Sequence, residues 1–251
     1  QWPKSLNGEK TLTIGISIAS RKGGVGKSSM TAGIASYLSS LEKRVLAVDL
    51  DPQSNLAYML GNDPTQPGTA ELLEGKEPDP LYINDFLHVL PGGPELLSAV
   101  IARMDQNMLL HRLRDWDYDV ILFDSPPGNE HLERLGVIAS QKALVVTNAH
   151  PLAVLGAQRV LEELALRKQY GWLGPKVWGI VANMIDPRRS LDQHVETLFT
   201  NEQGVPFFQV PQDINVAMAS ACRSPLFDYQ PKTKASSVFK QIADWCMEGM
   251  A

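Results

Sequence analysis

One run of nine residues concentrates most of the chemistry in this chain: Arg21-Lys22-Gly23-Gly24-Val25-Gly26-Lys27-Ser28-Ser29. Its three glycines permit a tight backbone path in which successive N–H groups point at one anion. Lys27 adds a point charge suited to the β- and γ-phosphates of a nucleotide, and Ser28 adds a hydroxyl suited to Mg²⁺. Two further stretches end in acids. The first, Val45-Leu46-Ala47-Val48-Asp49-Leu50-Asp51-Pro52-Gln53, closes an apolar run with two carboxylates before a proline breaks it. The second, Val120-Ile121-Leu122-Phe123-Asp124, puts one carboxylate behind an apolar run. Asp124 can hold Mg²⁺ through its water shell while hydrogen-bonding Ser28, since hard oxygen ligands and retained waters are what that ion prefers.

These groups work together only if the fold brings them to one edge. An apolar run from Ile14 to Ala19 precedes the glycine loop and a helix-like run from Ser28 to Leu41 follows it, so the order is strand, loop, helix. The helix would place its positive dipole end on the same anion. Strands are expected at Leu12–Ala19, Arg44–Asp49, Leu87–Leu90, Val120–Phe123, Ala143–Thr147, Val177–Ala182 and Phe207–Val210. They are short, mostly unbroken by polar residues and separated by helix-like runs, which predicts a mostly parallel twisted sheet with helices on both faces. In such a sheet the carboxyl ends of the strands face the ligand crevice, which aims Asp51 and Asp124 at the glycine loop. Capping of the next helix fits Asp49 as well as a ligand role does. The stretch from Asn62 to Asp79, rich in Pro, Gly and charge, reads as a surface excursion with one short helix at Ala70–Glu74. The tail from Ser236 to Met250 reads as a helix with Val238, Phe239, Ile242, Cys246 and Met250 on its core side.

Composition narrows the classes. With 251 residues, 44% of them hydrophobic, one α/β domain over residues 1–251 is the natural reading, and residues 1–10 form an irregular extension. A formal charge of −5 excludes a wholly basic nucleic-acid coat but allows a local basic patch. Cys222 and Cys246 have no C-x-x-C spacing, so neither a zinc site nor a disulfide framework is indicated and a reducing cytosol is the default. No apolar run is long enough to span a bilayer. Thr11–Ala19, after Lys4 and Lys10, has the look of a short signal core but lacks a cleavage site, and a buried strand is expected there.

The glycine loop is not the common G-x-x-x-x-G-K-[ST] pattern, because Arg21 stands where its first glycine would fall and a second lysine, Lys22, lies inside the loop. In this deviant K-G-G-x-G-K-[ST] form, in Asp49-Leu50-Asp51-Pro52-Gln53 and in Asp124-Ser125-Pro126-Pro127-Gly128, the chain resembles the ParA/MinD family of ATPases, which includes nitrogenase iron protein and arsenite-pump ATPases. The resemblance covers nearly the whole chain. It departs in detail at Ser125 and Gly128, where relatives often carry Cys and Ser. It implies a P-loop ATPase with ATP or ADP and Mg²⁺ as ligands and nucleotide contacts from Gly23, Gly24, Val25, Gly26, Lys27, Ser28 and Ser29. Lys22 would reach the nucleotide of a partner subunit across an ATP-sandwich homodimer. Asp51 would position or activate the attacking water and contact the metal through water, beside Ser28 and Asp124. Asn183 would read the adenine edge, for which an amide has both a donor and an acceptor, or stand as a turn residue before Met184. The loop bearing Pro211 would lie over the base.

The same resemblance implies a short ParA-type ATPase in the cytoplasm at the nucleoid. It would bind DNA without sequence preference and position a plasmid, chromosome or protein complex. A ParB-like or cargo-adaptor partner would stimulate a slow hydrolysis. Arg188, Arg189, Arg223, Lys232 and Lys234 are the candidate DNA contacts, while Pro211-Gln212-Asp213-Ile214-Asn215, where relatives often carry an arginine, has none. A MinD-like ATPase acting on a membrane or a protein scaffold is the alternative. Lys240 set against Asp244 and Glu248 makes the tail a poor match for anionic lipid. The two cysteines do not supply the arrangement of an iron–sulfur reductase or arsenite-pump component.

Overall fold

Alternation along each strand decides where the core lies. In the computed structural model, which describes residues 13–199 and 204–248, Val45 and Ala47 belong to the core on one face of the sheet and Leu46 and Val48 to that on the other. Val120 and Leu122 likewise oppose Ile121 and Phe123. Leu144 and Val146 oppose Ala143 and Val145. Successive side chains point to opposite faces, so strands apolar at every position must be covered on both sides.

The described strands are β1 (Ile14–Ala19), β2 (Val45–Asp49), β3 (Leu81–Asn84), β4 (Leu87–Leu90), β5 (Val120–Asp124), β6 (Lys142–Thr147), β7 (Lys176–Ile185) and β8 (Phe207–Pro211). They form one open sheet in the order β3-β4-β2-β5-β1-β6-β7-β8. All pairs are parallel except β3 with β4. The described α-helices are α1 (Lys27–Ser40), α2 (Asn55–Met59), α3 (Thr69–Leu73), α4 (Ala99–Ala102), α5 (Met108–Leu113), α6 (Glu130–Ile138), α7 (Pro151–Gln169), α8 (Ser190–Gln193), α9 (Ile214–Ala221), α10 (Leu226–Tyr229) and α11 (Lys234–Met247). Helices α1 and α11 cover one face. Helices α6 and α7 cover the other.

The seven expected strands are all present, and the sequence reading missed the eighth. β3 is a four-residue antiparallel edge with an irregular register between Tyr82 and Asn84. It follows Pro78 and Pro80, and it is too short to show a period. Two boundaries move. β7 runs past Asn183 to Ile185, so Asn183 is not at the strand end, and Pro211 pairs with Ile185 inside β8 rather than following it. A proline is tolerated there because β8 is an edge. The excursion's helix is Thr69–Leu73. The expected extension at 1–10 and Met250 lie outside the described residues.

Helix α11 turns its apolar face inward: Phe239, Ile242, Ala243 and Cys246 are buried, and Val238 packs partly buried against the same core. Phe239 lies so close to Gly33 of α1 that a side chain at Gly33 would collide with its ring, at 2.6 Å. The far end of α11 is tied down by reciprocal indole bonds. Trp178 Nε1 donates to the Trp245 carbonyl at 3.0 Å and Trp245 Nε1 to the Trp178 carbonyl at 2.7 Å. Buried Lys142 donates to the Cys246 and Glu248 carbonyls at 2.6 and 2.8 Å, satisfying helix-end acceptors.

Candidate phosphate-binding site

The loop between β1 and α1 has the backbone its glycines predict. Gly24 (φ 76°) and Gly26 (φ 89°) both occupy the left-handed region. Any Cβ at Gly26 would fall 2.2 Å from Asn183 Nδ2, so this position also needs glycine for space. Helix α1 starts at Lys27 with no side-chain cap and no acid in its first turn, which leaves its first N–H groups available to an anion. Lys27 is buried and donates to the Lys22 carbonyl at 3.3 Å. Burial lowers its pKa, opposed by the charges of Asp124, Glu133 and Asp51. Lys22, by contrast, is exposed on the rim of the loop, and no partner for its ammonium occurs among the described residues.

The acids converge on the same place. In the β2–β5 ladder Asp49 and Asp124 are direct neighbours. Asp49 is fully buried, and burial together with Asp124 raises its pKa well above the usual range. Both its oxygens are engaged: Oδ1 accepts from the Asp51 N–H at 2.8 Å and Oδ2 from the Leu56 N–H at 3.0 Å. Asp49 therefore organises the backbone of the Asp51 segment. Asp51 is buried, its Oδ1 accepting from the Gln53 N–H at 2.9 Å. Asp124 is buried with Oδ1 3.5 Å from the Thr31 hydroxyl, while Oδ2 has no hydrogen-bond partner. Burial pushes its pKa up to about 6, against the pull of the Ser28 hydroxyl and Lys27. Buried hydroxyls Ser54 and Ser125, which flank these acids in sequence, are also unpartnered. Unsatisfied buried polar atoms are rare in native folds, and these three lie at or just past the carboxyl ends of β2 and β5, the edge of the sheet from which the glycine loop leaves β1.

Asn183 is buried and placed against this loop: its Nδ2 donates to the Val25 carbonyl at 2.9 Å and its Oδ1 accepts from the Met184 N–H at 2.9 Å. With both ends of the amide so engaged, Asn183 braces the loop in this state. The basic residues considered for nucleic acid come from separate places. Arg188 and Arg189 share Asp186, at 2.8 and 3.8 Å, which offsets part of their charge. Arg223 bonds the Asn62 carbonyl at 2.8 Å and lies over the Tyr58 ring. Lys232 and Lys234, at the start of α11, are exposed without an ion pair among the described residues.

Three features escaped the sequence reading. Gly92 packs on the Asp51 carbonyl so tightly that a Cβ would fall 2.0 Å from its oxygen, and the Gly93 N–H donates to that carbonyl at 3.2 Å. Arg21, where the common loop has glycine, is held by Glu163 of α7 and by Glu130 of α6 at 3.3 Å. Glu133 is buried on α6 near Arg21 and Lys27, and burial pushes its pKa up to about 7. Its signal was readable: Glu133, Gly136 and Val137 fall on one helical stripe, so an acid occupied a core position.

Residues 16–226 match the sequence family described as the CobQ/CobB/MinD/ParA nucleotide binding domain. The chain belongs to that family. Among its relatives, the chromosome-partitioning ATPase Soj of Thermus thermophilus is 31% identical over 238 residues, covering 92% of this chain and 94% of Soj. The chromosome partitioning protein ParA of Myxococcus xanthus is 29% identical over 235 residues, 87% of this chain and 82% of its own. Among solved structures, the septum site-determining protein MinD of Pyrococcus horikoshii, complexed with Mg-ADP, superposes with a TM-score of 0.76 at 25% identity, over 94% of this chain and 97% of that one. The family's open, mostly parallel sheet is the one described above.

The buried acids of this MinD/ParA-type domain give stability a defined pH dependence. Asp124 and Glu133 both have folded-state pKa values above their ordinary ones, about 6 and about 7. Between the ordinary carboxylate range and those values the folded state binds more protons than the unfolded one, so stability falls as pH rises through the window and the loss is complete above it. The ligand-free protein should therefore be less stable at pH 8 than at pH 5.5, by on the order of 2 kcal/mol, the lowered pKa of half-buried His88 offsetting part of the loss. Urea denaturation at the two pH values checks this; a midpoint that rises with pH would contradict it.

Proposed function

We propose that this chain is a Mg²⁺-dependent ATPase of the ParA type that forms an ATP-sandwich homodimer and positions a cargo on nucleoid DNA in the cytoplasm, over one domain spanning residues 1–251. The observation that carries the reading is the contrast between the two lysines of the loop. Lys27 is buried in the loop, which suits a role on the nucleotide of its own subunit, whereas Lys22 is exposed, which suits a role on the phosphates of a second subunit. The residues suit the ligands. Gly23, Gly24, Val25, Gly26, Ser28 and Ser29 supply the loop and the open helix end for the phosphates. Among the described residues no three of His, Cys, Asp or Glu are grouped to hold a metal ion. A hard cation here would therefore take the Ser28 hydroxyl, phosphate oxygens and waters bonded to Asp124 and Asp51, which is how Mg²⁺ is usually held.

In this mechanism Mg²⁺, when bound, would offset charge on the phosphates. Lys27 and the loop N–H groups stabilise negative charge that builds on the transferred phosphoryl group and the leaving oxygen. Asp51 orients the attacking water. Asn183 and Pro211, the last residue of β8, would border the base, with Asn183 exchanging its present bonds for the adenine edge. A ParB-like or cargo-adaptor protein raises a slow intrinsic rate. Arg188, Arg189, Arg223, Lys232 and Lys234 are the surface cations offered to DNA phosphates. The membrane alternative finds less support. The apolar face of α11 is buried against α1, and no described helix is long and apolar enough to cross a bilayer.

The test is DNA binding by the purified protein with ATP, with ADP and with Lys22→Ala, at two salt concentrations. Binding only with ATP, lost in the variant and falling steeply with salt, is the expected result. Equal binding in all nucleotide states, or a flat salt dependence, would reject the nucleotide-gated DNA switch.

A further inference from the structure

Arg21 joins the glycine loop to two helices at once. Its Nη1 meets Glu130 of α6 at 3.3 Å, and its Nη2 donates to Glu163 of α7. Glu163 also accepts from Arg134 Nε at 2.9 Å and from Arg167 Nη2 at 3.1 Å, while Arg134 Nη2 reaches Glu130 at 3.1 Å. Both carboxylates would therefore keep arginine partners if Arg21 were replaced, so the cluster does not need Arg21 to be satisfied. Arg21 even carries a penalty here, because its Nε is buried with no hydrogen-bond partner. A local cost that stability does not explain is expected at a functional position.

What Arg21 controls is the residue after it. The main chain of Lys22 lies against α7 at Gly156, where a Cβ would stand 3.4 Å from the Lys22 nitrogen and 3.5 Å from the Lys22 Cβ. Gly156 and Glu163 lie two turns apart on α7 and so on one stripe of that helix. On its other side the Lys22 carbonyl accepts from Lys27 Nζ at 3.3 Å. The Lys22 backbone is thus held by α7, by Lys27 and through Arg21, while its side chain is exposed. We propose that Arg21 is a positioning residue: its ties to Glu163 and Glu130 fix the direction in which Lys22 is presented, so that a second copy of this chain meets a lysine whose backbone is already ordered. Ordering in advance lowers the entropic cost of association. The part played in association rests on the sandwich-dimer reading above, whereas the anchoring of Lys22 by Arg21 does not.

The anchor is tested without nucleotide, through backbone amide order parameters measured by NMR. In Arg21→Gln the value at Lys22 should fall from about 0.85, that of rigid backbone, to below about 0.6. Arg134→Gln is the control, since it breaks bonds to the same two carboxylates without touching the loop, and there Lys22 should stay rigid. An unchanged Lys22 in Arg21→Gln, or an equal loss in both variants, would overturn the proposal. Association is measured separately, by sedimentation with Mg-ATP. Arg21→Gln should raise the dimer dissociation constant about tenfold, each copy contributing one Lys22 across the two-fold axis, and leave the affinity for Mg-ADP within about twofold. Glu163→Gln should do the same, and the double variant should be no weaker than either single one, as expected of residues acting through each other. Where Glu163→Gln does not fold, the comparison of Arg21→Gln with Arg134→Gln decides. Mg-ADP affinity falling in step with dimerisation would make Arg21 a support of the whole loop and overturn the positioning role. Loosening at Lys22 in Arg21→Gln, in a protein that never dimerises with Mg-ATP, would sink the sandwich reading and leave the anchor standing.

Discussion

Lys27→Ala should lower ATP turnover by roughly 10²–10³-fold and abolish the stabilisation that Mg-ATP gives the protein in a thermal melt. The side chain is buried, so its charge acts in a medium that screens it poorly. It is also the only lysine inside the loop's fold, since Lys22 is turned outward on the rim. The neighbouring arginine cannot substitute for it, because Arg21 is held by Glu130 and Glu163. Loss of Lys27 further removes a charge that lowers the pKa of Asp124, so this carboxyl would protonate more readily just where a metal's water shell needs an anion. Turnover within about tenfold of the unaltered protein would rule out Lys27 as the main phosphate charge.

Gly92→Ala should cost about 2–3 kcal/mol of stability and reduce hydrolysis by on the order of 10²-fold, although residue 92 touches no ligand in the proposed mechanism. The added Cβ would stand 2.0 Å from the Asp51 carbonyl oxygen and 3.3 Å from Asp49 Oδ1. The first neighbour is backbone, which cannot swing aside as a side chain does. The segment must move, and with it the bond from the Gly93 N–H and the orientation of Asp51. Gly171→Ala is the matched control. Its φ of 66° imposes a left-handed penalty of about 1 kcal/mol, with nothing within 4 Å to displace. Chemical denaturation and steady-state turnover of both variants separate the two causes. Full activity in Gly92→Ala would show that the Asp51 segment has room the structure does not give it.

Much of the site was readable because motif and topology demand the same thing. Gly24, Gly26, Lys27 and Asp124 each follow from a buried parallel strand that must end at the crevice, and the apolar runs located those strands. Other parts depend on contacts between segments distant in sequence. Nothing local to Asn183 says that its amide meets the Val25 carbonyl, and nothing local to Gly92 says that its Cα rests on Asp51. Asp49 illustrates the boundary: its position was evident, but its role depended on two N–H groups supplied by a loop whose path the sequence does not state. β3 was missed because four half-exposed residues after two prolines carry no usable period.

The two edges of the sheet bear on how copies of this protein can associate. One edge is β3, four residues long and irregular in register; the other is β8, five residues ending in a proline that has no N–H to offer. Neither presents a long, flat row of unpaired backbone groups, so neither favours open-ended growth by strand addition. In the dimer proposed above, self-association would rest on side-chain surfaces, among them the face carrying Lys22. A contact built there across a two-fold axis would close after two copies, and an assembly that closes could be taken apart one nucleotide at a time, whereas a polymer must be eroded from its ends.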